Sequence, residues 1–256
     1  MSSTLLDTHE AEDTGGYSSP LSRQKESSVR LVKERFAIPS RDGTEIFLWR
    51  IATCHANESS TPQPAIVYAH GGAFIHRNLN MEEVRLDKFN DSLIGRMGPK
   101  PLYDSGCVLL YVSYRIAGEA PFPKPVEDVY TAYEYALTNA TTLGILKDKI
   151  CFTGVSAGAH LALAATMMVM DQGLRAPCGQ MLIYPMLDPE ARLGERNDLA
   201  VGWERFLCNL DNVPVKLQKY ARLLDLSPED LAKLPPTYID VGDQDPFHEE
   251  LFTSGI

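Results

Sequence analysis

Five short apolar runs recur along this 256-residue chain: AIVYAH (65–70), CVLLYVSY (107–114), KICFTG (149–154), QMLIYPM (180–186) and TYIDVG (237–242). Runs of this length and apolarity read as strands buried on both faces. Helical stretches lie between most of them, and the order strand, helix, strand predicts a mostly parallel sheet sandwiched between helices, an α/β three-layer fold. The helical reading rests on spacing. Val126, Val129, Tyr130, Tyr133, Ala136 and Leu137 fall on one face of a helix. The segment AGAHLALAATMMVM, which follows Ser156, is apolar nearly all round and is predicted to lie buried.

Ahead of these runs, VKERFAI and TEIFLWRIA alternate with the strand period across the turn signal Arg41-Asp42-Gly43. This predicts an antiparallel pair at a sheet edge. Residues 1–30 are rich in Ser, Thr, Asp and Glu, so they are expected to be disordered or to order only as part of a cap. Residues 31–256 then form one domain. Within it, 188–234 contains no buried-strand run. Trp203, Phe206, Leu207 and Leu210 have amphipathic-helix spacing there, which predicts an inserted helical cap. Ser227-Pro228-Glu229-Asp230 supplies an N-cap, a first-turn proline and early acids for one more short helix.

A net charge of −10 opposes binding to nucleic acid or to anionic lipid. The five cysteines form no CxxC pair, so neither a disulfide framework nor a zinc site is expected. No apolar run is long enough for a transmembrane segment, and the N-terminus lacks a signal-peptide pattern. A cytoplasmic location is the expectation.

The chemistry is concentrated in two motifs. Gly154-Val155-Ser156-Ala157-Gly158 is a G-x-S-x-G set between a strand and a long apolar helix. Such a turn strains the serine and presents its hydroxyl at a helix N-terminus, where developing negative charge is stabilised. Upstream, His70-Gly71-Gly72-Ala73-Phe74 follows a strand. Residues without bulk let backbone N–H groups converge there, as an oxyanion hole requires, although a plain Gly-rich turn would look the same in isolation.

HGGAF, YRIAGEAPFPKPVEDV, GVSAG and LPPTYIDVGDQDPF, in this order over roughly residues 32–256, resemble the hormone-sensitive lipase family of α/β-hydrolases, the GDXG lipolytic enzymes or α/β-hydrolase fold-3 group. The resemblance implies a serine hydrolase that cleaves small or medium-chain carboxylic esters through an acyl-enzyme, with no cofactor or metal. It makes Ser156 the nucleophile and assigns the oxyanion-hole N–H groups to Gly72, Ala73 and Ala157, with Gly71 shaping the turn. Asp245 matches the catalytic acid; Asp240 and Asp243 are its neighbours and rivals. Trp203 and Phe206 are candidate walls of an acyl pocket, or else packing within the cap.

Two departures stand out. Val155 occupies a position where the family usually has Asp or Thr, which touches local packing more than chemistry. The family's histidine follows a further helix and strand beyond the acid, and the present sequence reaches Ile256 soon after Asp245. A chain truncated before the last strand, helix and catalytic histidine is therefore expected. His70, His76, His160 and His248 are poorly placed to replace that base, and His9 and His55 fall in a polar tail and a loop. The alternative to an ester hydrolase is a non-catalytic, receptor-like ligand-binding homologue or an inactive fragment.

Overall fold

β-Branched and aromatic residues alternate with charges in Arg30–Pro39 (β1) and Glu45–Cys54 (β2), and the tight turn between them pairs the two as an antiparallel hairpin, with Phe36 opposite Leu48. In the computed structural model, which describes residues 30–54, 61–77, 80–83, 106–189, 197–248 and 251, this hairpin forms one side of a seven-stranded sheet. The other strands are Gln63–Ala69 (β3), Val108–Ser113 (β4), Ile145–Val155 (β5), Gln180–Ile183 (β6) and Thr237–Asp240 (β7). Their spatial order is β1-β2-β4-β3-β5-β6-β7; β2 meets β4 antiparallel, and every pair from β4 to β7 is parallel.

The period of two along the central strands divides the core between the two sheet faces. Val67, Val108, Leu110 and Val112 belong to the larger cluster, which also takes in the helices. Tyr68, Leu109 and Tyr111 turn to the opposite face and join Trp49, Ile51, Met81 and Val155. Lys124–Thr138 (α1) and Ala157–Asp171 (α3) cover the first face, and the single turn Ala140–Leu143 (α2) follows α1. Every residue from Ala157 to Val169 is buried, as expected of a segment that is apolar all round. No helix among the described residues is long and apolar enough to cross a membrane.

Three strands differ from their sequence-predicted extents. β5 begins at Ile145, earlier than the apolar run suggests, because Leu146–Lys149 are exposed and carry no apolar pattern. β6 stops at Ile183 because Tyr184 takes a φ of 33° and gives its N–H to the Asp240 carbonyl at 2.5 Å. β7 pairs with β6 as expected but is not buried: Tyr238 is 58 % exposed, and only Ile239 is partly covered. It has one paired neighbour among the described residues.

Between β6 and β7 the described residues form Asn197–Leu207 (α4), the single turns Val215–Gln218 (α5) and Pro228–Leu231 (α6), and two short 3-10 turns. At α6 the Ser227 hydroxyl accepts the Asp230 N–H at 3.1 Å, the N-cap that the sequence pattern indicates. The expectation for residues 1–30 lies outside the described residues, apart from Arg30 at the start of β1.

One ionic cluster ties the hairpin turn, the end of β4 and the start of α1. Asp128, fully buried on α1, accepts from Ser40 Oγ at 2.5 Å and takes the Arg115 side chain in two bonds, from Nε at 2.9 Å and Nη2 at 2.7 Å. Arg115 reaches on to Asp42 at 2.9 Å, and this guanidinium holds the Asp42 carboxyl well below the usual carboxylate range. Replacing Asp128 with alanine leaves Arg115 with only the partly exposed Asp42 as partner and removes the acceptor of Ser40 Oγ, and an expected loss of about 1–3 kcal/mol follows. Urea denaturation would measure it; an unchanged midpoint would show the cluster to be incidental.

Candidate active site

The G-x-S-x-G elbow is built by strand β5 running directly into helix α3. Ser156 sits between them at φ 55° and ψ −122°, a conformation that L-residues rarely adopt and that surrounding contacts must hold. Its N–H donates to Ile183 O at 2.9 Å, while its carbonyl accepts from Ala159 N at 2.9 Å and Met186 N at 3.2 Å. Ser156 is partly buried at the N-terminus of α3, where the helix dipole favours negative charge. Two residues on, a Cβ at Gly158 would lie 2.2 Å from Ala69 O and 2.3 Å from His70 O. Glycine alone lets the first turn of α3 sit against the end of β3.

That contact brings the turn after β3 to the elbow. A Cβ at Gly71 would fall 3.5 Å from Ser156 Cβ. The next three residues all have positive φ: 121° at Gly72, 50° at Ala73 and 62° at Phe74. The turn closes through Ile75 N and His76 N, which donate to Gly72 O at 3.0 and 2.8 Å, and is held from outside by Ala117 N on Phe74 O at 2.7 Å. None of the N–H groups of Gly72, Ala73 and Ala157 donates to another described residue. These are the three backbone donors that the sequence motifs single out, and they are free of a described acceptor.

Beneath the turn, His70 is buried and stacked on Tyr114 at 4.2 Å, with Nδ1 at 2.7 Å from Gly71 O. The Tyr114 hydroxyl donates to His70 O at 2.6 Å. Burial lowers the His70 pKa to about 4, so its ring is neutral at pH 7 and serves to support the turn.

Asp245 follows β7 in a compact turn. Its Oδ1 accepts Phe247 N–H at 2.9 Å, its own N–H donates to Gly242 O at 3.0 Å, and His248 N–H donates to its carbonyl at 3.0 Å. The carboxyl is half-buried and close enough to Tyr184 for its charge to add to burial in raising that phenol's pKa. Tyr184 directly follows Ile183, the acceptor of Ser156 N–H, so Asp245 and Ser156 meet the same end of β6. Asp240 and Asp243 are exposed.

No described histidine hydrogen-bonds the Ser156 hydroxyl. His160 is fully buried one helical turn below the serine, with Nδ1 at 3.2 Å from Met186 O and Nε2 at 3.2 Å from Tyr220 O. Burial lowers its pKa to about 4 as well. His76 is exposed and His248 is half-buried. His9 and His55 lie outside the described residues.

Trp203 and Phe206, read from sequence as pocket walls or cap packing, are 3 % and 0 % exposed. Phe206 stacks flat on Phe74 at 4.1 Å, and Trp203, Phe74 and Phe206 surround the His160 ring edge to face. The structure therefore places both aromatics where helix α4 packs on the turn after β3. Gly202, which the sequence reading missed, is the point of closest approach: a Cβ there would lie 2.1 Å from Ala73 O. A glycine inside an amphipathic helical pattern is the signal that could have found it. Val155 packs with Trp49, Tyr68 and Tyr111, which explains an apolar residue before the nucleophile.

The family model described as "alpha/beta hydrolase fold" matches residues 66–252. Human hormone-sensitive lipase is 32% identical over 128 residues, which cover 49% of this chain and 11% of that protein. An arylesterase of Saccharolobus solfataricus is 27% identical over 196 residues, 72% of this chain and 58% of the relative. The chain thus spans only part of these relatives' length. Among solved structures, an esterase of Pyrobaculum calidifontis superposes with a TM-score of 0.69 at 27% identity, covering 87% of this chain and 70% of that one.

Both buried histidines titrate near pH 4 in the folded protein and near 6.5 when unfolded. Above pH 6.5 both states are neutral and stability is independent of these rings. Between pH 6.5 and about 4 the unfolded chain binds the extra protons, so stability falls by about 1.4 kcal/mol per pH unit for each histidine. His160→Gln is expected to remove about half of that loss between pH 6.5 and 5 in denaturant titrations at fixed ionic strength; an unchanged slope would rule His160 out as a source.

Proposed function

Since the chain belongs to the α/β-hydrolase fold family, in its hormone-sensitive-lipase-like branch, we propose that it is a serine hydrolase acting on carboxylic esters of small or medium acyl chain. One observation carries the reading: a partly buried serine in a strained elbow beside three open backbone donors. Ser156 Oγ attacks the ester carbonyl, and the carbonyl oxygen becomes an oxyanion. Preorganised N–H groups of Gly72, Ala73 and Ala157 stabilise that charge without reorganisation. The alkoxide leaves with a proton, the acyl group stays on Ser156, and water then releases the acid.

In the mechanism that the family resemblance implies, a histidine takes the serine proton and a carboxylate at the Asp245 position selects its tautomer and stabilises the imidazolium; no described histidine is placed for that role. His70 and His160 cannot serve, since both are buried and engaged with carbonyl oxygens. The elements between β6 and β7 act as the cap over the sheet edge, with Trp203 and Phe206 closing its contact with the oxyanion turn. The substrate is a small-molecule ester, and no step requires a cofactor.

The second reading is a ligand-binding relative without turnover. Hydrolysis of p-nitrophenyl butyrate separates the two. The expected result is turnover that Ser156→Ala lowers by roughly 10³-fold or more and Asp245→Asn by up to roughly 10⁴-fold. Turnover indifferent to Ser156 would sink the proposal, and saturable ester binding without turnover would replace it with the second reading.

A further inference from the structure

A second concave site lies apart from Ser156. A cavity of about 400 Å³ opens between the hairpin turn, the first turn of α1, the last turn of α3 and the single turn α5. Its volume falls within the range of small-molecule sites. Met168, Leu217 and the Tyr220 ring supply an apolar lining, and Arg41, Lys216, Lys219, Glu127 and Asp171 supply charge.

The charges do not cancel locally. Asp171 already holds Lys219 at 2.7 Å and the Tyr220 hydroxyl at 2.6 Å. Glu127 holds Lys124 at 2.8 Å. Arg41 lies over the Tyr130 ring at 5.1 Å and has no carboxylate partner among the described residues. Lys216 likewise has no ion pair there. The lining thus carries three cations against two carboxylates, a slight positive excess in a chain whose net charge is −10, and Arg41 and Lys216 are the two cations without an ion pair among the described residues.

We propose that this cavity binds an organic carboxylate with a medium-length apolar body, its headgroup between Arg41 and Lys216 and its chain against Met168, Leu217 and Tyr220. The guanidinium fork suits a carboxylate, and Lys216 adds a second charge from the facing turn. Because Tyr220 O also faces His160 Nε2 at 3.2 Å, the bound molecule rests against the segment that meets the elbow helix. The site is independent of the proposed ester cleavage, and its test needs no turnover.

Calorimetric titration with octanoate provides that test. Saturable binding, roughly millimolar or tighter, is expected for the unmodified chain. Acetate lacks the apolar body and octylammonium reverses the charge; each should bind roughly ten-fold more weakly or not at all. R41Q/K216Q, two exposed substitutions that leave the fold intact by circular dichroism, should weaken octanoate by a similar factor, whereas Ser156→Ala should leave it unchanged. Raising the salt concentration should weaken binding, as expected for partly exposed charges. Equal affinity in R41Q/K216Q, loss of binding in Ser156→Ala, equal binding of octylammonium, or no saturable octanoate binding would each overturn the proposal.

Discussion

The approach of helix α3 to the end of strand β3 is the contact on which the site depends. Any side chain at Gly158 would collide with Ala69 O and His70 O, so the absence of a single Cβ determines how close the elbow comes to the turn that follows β3. Proximity then has electrostatic consequences. The first turn of α3 and the Gly71–Phe74 turn lie against each other, a Cβ at Gly71 falling 3.5 Å from Ser156 Cβ. Each of the N–H groups of Gly72, Ala73 and Ala157 alone is an ordinary unsatisfied backbone donor at a helix end or a turn. In the proposed mechanism they act together on the developing oxyanion, which backbone donors fixed in a turn and a helix end stabilise without reorganisation.

Strain at the site is distributed over several residues. Ala73, Phe74, Ser156 and Tyr184 all have positive φ without being glycine, and all four lie where β3, β5 and β6 deliver the chain to the same sheet edge. Such conformations cost of order 1–3 kcal/mol each and persist only where neighbouring structure overdetermines them. The determining contacts are visible: Ala117 N on Phe74 O, Met186 N on Ser156 O and Asp240 O on Tyr184 N. The insert contributes too. Phe206 stacks on Phe74, Phe122 N donates to Phe206 O at 2.8 Å, and Gly202 abuts Ala73 O. Helix α4 is therefore part of what shapes the turn after β3.

Much of this was legible in the sequence, for a physical reason. Central strands and α3 are buried on all sides, so their composition alone betrays them, and the elbow and the Gly-rich turn need specific small residues at specific places. The edges were less legible. β7 reads as a buried strand because Tyr238 and Ile239 are apolar, yet apolarity does not report whether a neighbour covers it. The exposed start of β5 carries Lys147, Asp148 and Lys149 and leaves no period to detect. Trp203 and Phe206 show the limit most clearly: helical spacing marks a buried face, and only the fold reveals that Phe74 and His160 are what they bury against. Gly202 was missed because a close approach between distant segments leaves only a missing side chain in the sequence.

His160 shows how such long-range contacts set a balance of forces that no local pattern encodes. Its two ring nitrogens each face a backbone carbonyl at 3.2 Å, Met186 O beside the elbow and Tyr220 O in the insert. A neutral imidazole carries one N–H, so only one carbonyl can receive a hydrogen bond while the other meets a lone pair. An imidazolium would satisfy both, but full burial among Phe74, Trp203 and Phe206 opposes the charge and keeps the ring neutral. The tautomer therefore decides which element is held by a hydrogen bond and which only by packing. If the proton sits on Nδ1, the segment after β6 is bound to α3 and the insert is held at this point by its aromatic contacts; on Nε2 the assignment reverses. Either way one of the two attachments is weaker than its geometry suggests, and the aromatic stack on Phe74 must hold the insert against the turn after β3.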